Sequence, residues 1–338
     1  MPTFGQKGRR KQGVFRDTSA TISNAARHPD DEVGRRNRHL LAIGHEQENL
    51  YPSLRGPTDA VRFFGDRKIK WWRSSRSGDS KGTDGPTRNL ASSQIACVNF
   101  LLPLAGIPGA LTACLQALDR DVEAAIPIKH NGLISPVEFE WLGIDSTLEE
   151  SAYTRGAHAT SADAFMLAEC AGGSRQAYLL EWKYVEAYEA GRYKGEGRAG
   201  ETRRKRYQNL YCAADSSFVG QVPLDELLYE PIYQIVRLRL LADRMVRCGE
   251  FGVSQAKVIV VCPQENREYR ERITSCPLAA RLPENATLEA AAKSLLKDPE
   301  GLAMISPEQL GAAAVKSIPN AKLADWYAYH RERYGWSG

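Results

Sequence analysis

Residues 160 to 186 read TSADAFMLAECAGGSRQAYLLEWKYVE. Two apolar runs, DAFMLAEC and QAYLLEWKYV, flank Gly172-Gly173, a pair that tolerates the positive φ of a tight turn. The pattern predicts two antiparallel strands. Three charged groups interrupt them: Asp163 opens the first run, and Glu181 and Lys183 close the second. Side chains alternate along a strand, so Glu181 and Lys183 point the same way. A hairpin folded about Gly172 sets Asp163 opposite Glu181. Directly opposed Cβ atoms lie about 4.5–5.5 Å apart, where like charges repel. Burial and repulsion together would force a proton onto one carboxyl and cost stability. A divalent cation removes the conflict. Two carboxylate oxygens, a backbone carbonyl and waters suit Mg²⁺, with Mn²⁺ as a substitute. Lys183 then stands beside the cation, placed to steer or deprotonate a water and to offset charge on a phosphate under attack. The chemistry implied is metal-assisted hydrolysis of a phosphodiester.

Outward from the hairpin, NLASSQIACVNFLLPLAG carries apolar residues at helical spacing. SPVEFEWLG is rich in strand formers. KIKWW is a strand or a buried anchor. After the hairpin comes a basic, glycine-rich stretch, GRYKGEGRAGETRRKR, expected as a loop. EPIYQIVRLRLLADRM is the strongest helical segment, and AKVIVVCP is a continuous apolar run of the kind buried on both faces of a sheet. The order is helix, strand, hairpin, helix, strand. It predicts an α/β fold, a mixed central sheet flanked by helices. Residues 1–40 lack hydrophobic periodicity and are expected as a flexible basic arm. Residues 41–338 are expected as a single domain, with a core over 90–262 and a helical extension over 263–338.

Asp163, seventeen intervening residues, then Glu181-Trp182-Lys183 resembles the motif of the PD-(D/E)XK nuclease superfamily, with Ala162 in place of its proline. That proline has no chemical role. The superfamily core has the element order read above, and NLASSQIACVNFLLPL and EPIYQIVRLRLLADRM are similar to a bacterial group of restriction endonucleases. The resemblance implies that Asp163 and Glu181 bind Mg²⁺ and that Lys183 is the catalytic lysine. Some branches add a glutamine on the helix after the hairpin, which here would be Gln234. Others use a residue of the first helix, for which Gln94 is the nearest candidate. Glu138 or Glu140 could supply a further carboxylate. The activity implied is Mg²⁺-dependent hydrolysis of DNA, of the restriction or phage-defence kind. The competing readings are a non-catalytic nucleic-acid-binding module on a nuclease fold, and a nuclease for RNA or branched DNA.

Composition is compatible with this. Of 338 residues, 43% are hydrophobic and 25% charged, as in ordinary globular proteins. The net charge of +4 proves no polyanionic partner, but the charge is unevenly spread. Residues 191–206 hold seven Lys or Arg against two Glu. Arg203, Arg204, Lys205 and Arg206 are the expected nucleic-acid contacts, supplying affinity rather than specificity because phosphates carry no sequence. Seven scattered cysteines without a CxxC pair argue against disulfides and zinc and for a reducing cytoplasm. No apolar run is long enough for a membrane span, and no secretory signal is expected. GEGRAG, residues 195–200, fits GxGxxG formally but follows the third strand, where a dinucleotide fingerprint belongs after the first. HEQEN, from His45, lacks the second histidine of a zinc helix. A symmetric homodimer would suit cleavage of a palindrome.

Overall fold

The structure, a computed structural model, describes residues 1–56, 59–73, 85–145, 148, 159–189, 191 and 193–336. In chain order its helices and strands are α1 (Phe4–Thr18), α2 (Asn24–Arg27), α3 (Glu32–Arg36), α4 (Ala60–Asp66), α5 (Ser93–Ala105), α6 (Ala110–Gln116), β1 (Val122–Ile126), β2 (Ile128–His130), β3 (Leu133–Ser135), β4 (Glu138–Trp141), β5 (Ala162–Cys170), β6 (Ser174–Trp182), α7 (Gly197–Tyr211), α8 (Ile232–Cys248), β7 (Gln255–Val261), α9 (Arg267–Arg270), α10 (Cys276–Ala279), α11 (Leu288–Lys293), β8 (Leu302–Ile305), α12 (Pro307–Ser317) and α13 (Ala321–Tyr334). The chain forms two compact units. One comprises residues 1–117, 182–185 and 307–338; the other, residues 118–181 and 186–306. The division does not follow the boundary expected at residue 40.

The sheet is six-stranded. Its order is β1-β5-β6-β7-β8, with β4 also paired to β5. β4 borders the first half of β5 and β1 the second, both antiparallel to it. β5 and β6 are antiparallel, whereas β7 and β8 run parallel, so the sheet is mixed and helices flank it as expected. The hairpin turns at Gly172, whose φ is +80°. Phe165 and Leu167 of β5, Leu179 of β6 and Val258 and Val260 of β7 share one core with Ile232, Ile235, Val236 and Leu240 of α8. Each such side chain contributes about 1.5–3 kcal/mol on burial. Their spacing along α8 is that of one helix face, and it decides which side of the sheet that helix covers.

Several expectations are corrected. Residues 263–338 are not wholly helical: LAMI forms β8, hydrogen-bonded along β7. Between the α6 segment and SPVEFEWLG, where residues 123–134 carry no expected element, the chain forms three short strands, with β2 and β3 as a separate hairpin. The basic stretch after the β5–β6 hairpin is not a loop beyond residue 197 but helix α7. Its buried side, Gly200, Tyr207 and Tyr211, is one narrow stripe with too few apolar residues to signal a period. Gly195 and Gly200 of GEGRAG serve close packing here. A Cβ on Gly200 would lie 1.9 Å from the Gly195 carbonyl oxygen.

In the first unit the expected flexible arm is folded. Residues 4–18 are α1, opened by a capping box in which Thr3 and Gln6 satisfy each other's backbone N–H groups. Hydrophobic periodicity fails to show it because polar groups and glycines hold it. Gln12 is fully buried and donates to the Tyr184 hydroxyl (2.7 Å) and the Arg333 carbonyl (2.9 Å). Phe15 packs with Leu41, Leu90 and Tyr329. KIKWW is a buried anchor, not a strand: Trp71 stacks on Phe64 at 3.9 Å and Ile69 is buried. His330 sits within an aromatic cluster with Phe100, Trp326, Tyr334 and Trp336. No single helix among the described residues is long and apolar enough to cross a membrane.

Candidate active site

The hairpin register is set by partners from Ala164↔Leu180 to Cys170↔Ser174. One further rung in the same register sets Asp163 of β5 against Glu181 of β6, the expected pairing. The opposite edge of β5 adds a third carboxylate. β4 pairs Phe139↔Ala164 and Trp141↔Ala162, so the intervening Glu140 falls opposite Asp163. Glu138, the other sequence candidate, is paired with Phe165 instead. Glu140, Asp163 and Glu181 thus stand in one row across three strands. Glu140 is 1% and Glu181 7% exposed, whereas Asp163 is half-buried.

Glu140 is also a point of backbone irregularity. Its φ is +47°, in the region that favours glycine. Alternation from Phe139 would send Trp141 to the Ala164 side of the sheet. Trp141 instead stacks on Phe165 at 4.9 Å, so β4 changes face at Glu140. The Ser161 hydroxyl donates to Glu140 Oε2 at 3.0 Å, tying that carboxylate to the chain entering β5.

Lys183 follows β6 directly and is two residues beyond Glu181 in the chain. It is buried, and the unit boundary falls between it and Glu181. Gln94, in the first unit, is committed to holding residues 70–72. Its Oε1 accepts from Trp72 N at 2.8 Å, and its Nε2 donates to the Lys70 carbonyl at 3.3 Å. Gln234 is half-buried in the first turn of α8 and accepts from the Tyr188 hydroxyl at 3.5 Å. Three residues on, Arg237 donates to the Thr160 hydroxyl at 3.2 Å. Thr160 precedes Asp163 by three residues, so this stretch of α8 lies beside the entry to β5. Sequence reading missed Arg237, since VRLRLL reads only as an amphipathic helix.

The four cations expected to meet nucleic acid differ in their surroundings. Arg204 is engaged within its own unit, donating to Asp225 (2.5 Å), the Tyr193 hydroxyl (2.9 Å) and the Gly195 carbonyl (2.7 Å). Burial pushes the Asp225 carboxyl up, but hydrogen bonds from Tyr193 and Arg204 outweigh it, and the group is held below the usual carboxylate range. Arg203 donates to the Lys194 carbonyl at 2.8 Å. Lys205 is exposed and Arg206 half-buried. Tyr207 and Tyr211, which follow these cations along α7, are buried in the core with α8.

Among the described residues no group of three or more His, Cys, Asp or Glu side chains is placed to hold a metal ion.

A family model described as "Restriction Endonuclease associating with ARP" matches residues 27–335. The chain belongs to that family. The match spans both compact units, and with it the whole sheet and the carboxylate row. No curated protein and no solved structure gives a significant match. The mixed sheet with flanking helices is consistent with a restriction-endonuclease-like fold.

Proposed function

We propose that this member of the restriction-endonuclease family is a PD-(D/E)XK-type, Mg²⁺-dependent endonuclease that hydrolyses DNA phosphodiesters in restriction or phage defence. One observation carries the reading: the hairpin register pairs Ala164 with Leu180, and its continuation by one rung would set Asp163 against Glu181, with Lys183 two residues further along the chain. The family description supports a nuclease role.

Asp163 and Glu181 would hold the cation, which when bound would supply Lewis-acid activation of water and phosphate. Each carboxylate keeps a second oxygen as an acceptor that orients a water. Lys183 supplies an ammonium beside the reacting phosphate. Its three N–H donors offset charge that grows on the phosphoryl oxygens, a preorganised electrostatic contribution. Glu140, opposite Asp163 and braced by Ser161, fixes the outer end of the row. The basic side of α7 supplies sequence-independent affinity for the backbone.

The test is cleavage of duplex DNA, single-stranded DNA and RNA of matched sequence, with Mg²⁺ and with EDTA. Mg²⁺-dependent scission of duplex DNA that is abolished in folded Lys183→Ala is the expected result. Wild-type rates from that variant would overturn the assignment. Preferential cutting of RNA would keep the chemistry and replace the substrate.

A further inference from the structure

Helix α1 carries Lys7, Arg9, Arg10 and Lys11 at exposed positions, and no carboxylate shares that exposed surface. Its single acid, Asp17, is half-buried and bonded to Arg16 and Arg38. Among the described residues, the side chains of Lys7 and Arg10 make no hydrogen bond and no ion pair. The two are three residues apart, which makes them neighbours on one helix face, and like charges at that spacing repel. An anionic partner reverses the sign of that cost. The charges run along the helix instead of converging on a cavity, which suits an extended polyanion better than a free phosphate.

The packing of α1 shows where that polyanion would lie. The buried side of the helix includes Gly5, Gly8 and Gln12, and it rests on Tyr184 and Val185. A Cβ on Gly5 would stand 2.9 Å from the Val185 carbonyl oxygen, and one on Gly8 2.5 Å from Val185 Cγ1. Gln12 donates to the Tyr184 hydroxyl at 2.7 Å. Two glycines thus let the helix backbone approach a segment that begins one residue after Lys183. Consecutive Cα atoms are about 3.8 Å apart, so the Cα of Val185 lies within about 7.6 Å of that of Lys183. Helix α1 and Lys183 belong to the same compact unit. The buried face also argues against a lipid surface. Gly5, Gly8, Gln12 and Phe15 are spent on packing, which leaves Val14 as the exposed apolar residue of the helix, too little to enter a bilayer. Helix α1 precedes residues 27–335, so the family likeness does not include it.

We infer that α1 binds the sugar–phosphate backbone of DNA beside Lys183, with Lys7 and Arg10 each meeting a phosphate. The site rests on the nuclease reading proposed above and adds a second basic element to α7. Its contacts position the strand without reading its sequence, because phosphates are alike at every base pair. The glycines hold the helix in place, and the cations on its far side hold the nucleic acid.

The test measures duplex DNA affinity across a salt series, in EDTA so that the DNA stays intact. Lys7→Gln/Arg10→Gln is expected to lower the slope of log affinity against log salt by about 2, one for each lost phosphate contact. Glutamine has a helix propensity close to that of Lys and Arg, so α1 should persist, which circular dichroism checks. The control is Lys316→Gln/Lys322→Gln, which removes the same charge from exposed positions of α12 and α13 in the same unit. Its slope should stay at the wild-type value. Should the α1 double variant fail to fold, Lys7→Gln alone carries the test, with an expected fall of about 1. An unchanged slope in the folded α1 variant, or an equal fall in the control, overturns this assignment. If the wild-type protein binds and cuts DNA, the nuclease reading then still stands. Wild-type protein that neither binds nor cuts any nucleic acid removes both.

Discussion

Ala164 and Leu180 are partners across the β5–β6 hairpin, and that rung leaves Asp163 facing Glu181 at the next one. A one-residue slip would have sent either carboxylate to the other side of the sheet. The candidate site therefore depends on register, and register on the Gly172 turn and the apolar faces of both strands.

The two carboxylates and the lysine are expected to fail differently when replaced. Asp163→Ala should lose both divalent-ion binding, read by calorimetry with Mn²⁺, and cleavage. Lys183→Ala should keep ion and DNA binding but lose cleavage by at least about 100-fold, the lower range for a positioned proton-transfer group.

Register also separates the two glutamates of β4. Glu140→Gln should lower cleavage at constant DNA affinity, because Glu140 lies opposite Asp163. Glu138→Gln, opposite Phe165, should leave turnover per folded molecule unchanged. Equal effects from both would detach Glu140 from the row.

Helix α7 should depend on a glycine. Gly200→Ala places a methyl group 1.9 Å from the Gly195 carbonyl oxygen, which forces the first turn apart. Overpacking of this kind costs about 1–3 kcal/mol. Thermal unfolding should report the loss, and the displaced arginines should weaken DNA binding.

Asp119 offers a control remote from the carboxylate row. It accepts from Lys257 (2.5 Å), Tyr178 (2.8 Å) and Gln176 (3.0 Å), which joins β6 and β7. Asp119→Ala leaves the Lys257 ammonium, 9% exposed, without that acceptor. The expected cost is about 2–3 kcal/mol, the range for a hydrogen bond to a charged group. Cleavage per folded molecule should not change.

The first unit should lose stability in mild acid. Burial holds the His330 imidazole down to about 3 and the His39 imidazole down to about 4, against an ordinary value of 6.5. Both bind a proton more readily when unfolded. Their contribution is full above about pH 6.5 and is lost as pH falls toward those lower values, at about 1.4 kcal/mol per pH unit for each group. His330→Phe, filling the same aromatic cluster, should remove its share of that slope between pH 6 and 4. A denaturant titration series at stepped pH would show it.

Much of this was legible in the sequence because it is local. The β5–β6 hairpin follows from two apolar runs about Gly172-Gly173, and α5, α8 and β7 follow from periodicity and from a continuous apolar run. The spacing of Asp163, Glu181 and Lys183 followed from the hairpin alone. What tertiary structure decided is what local pattern cannot encode. Helix α1 is held by Gln12 and by close packing rather than by an apolar face, so no period announces it. Helix α7 emerges from a basic run because Tyr207 and Tyr211 find the α8 core. Strand β8, four residues long, exists by virtue of its hydrogen bonds to β7. That Glu140 rather than Glu138 falls opposite Asp163 needed the β4 register. The meeting of Arg203 and Arg237 at Tyr233 joins residues of two helices, and only packing brings such groups together. Sequence fixes the order and chemistry of side chains along the chain; proximity between distant segments is a property of the folded core.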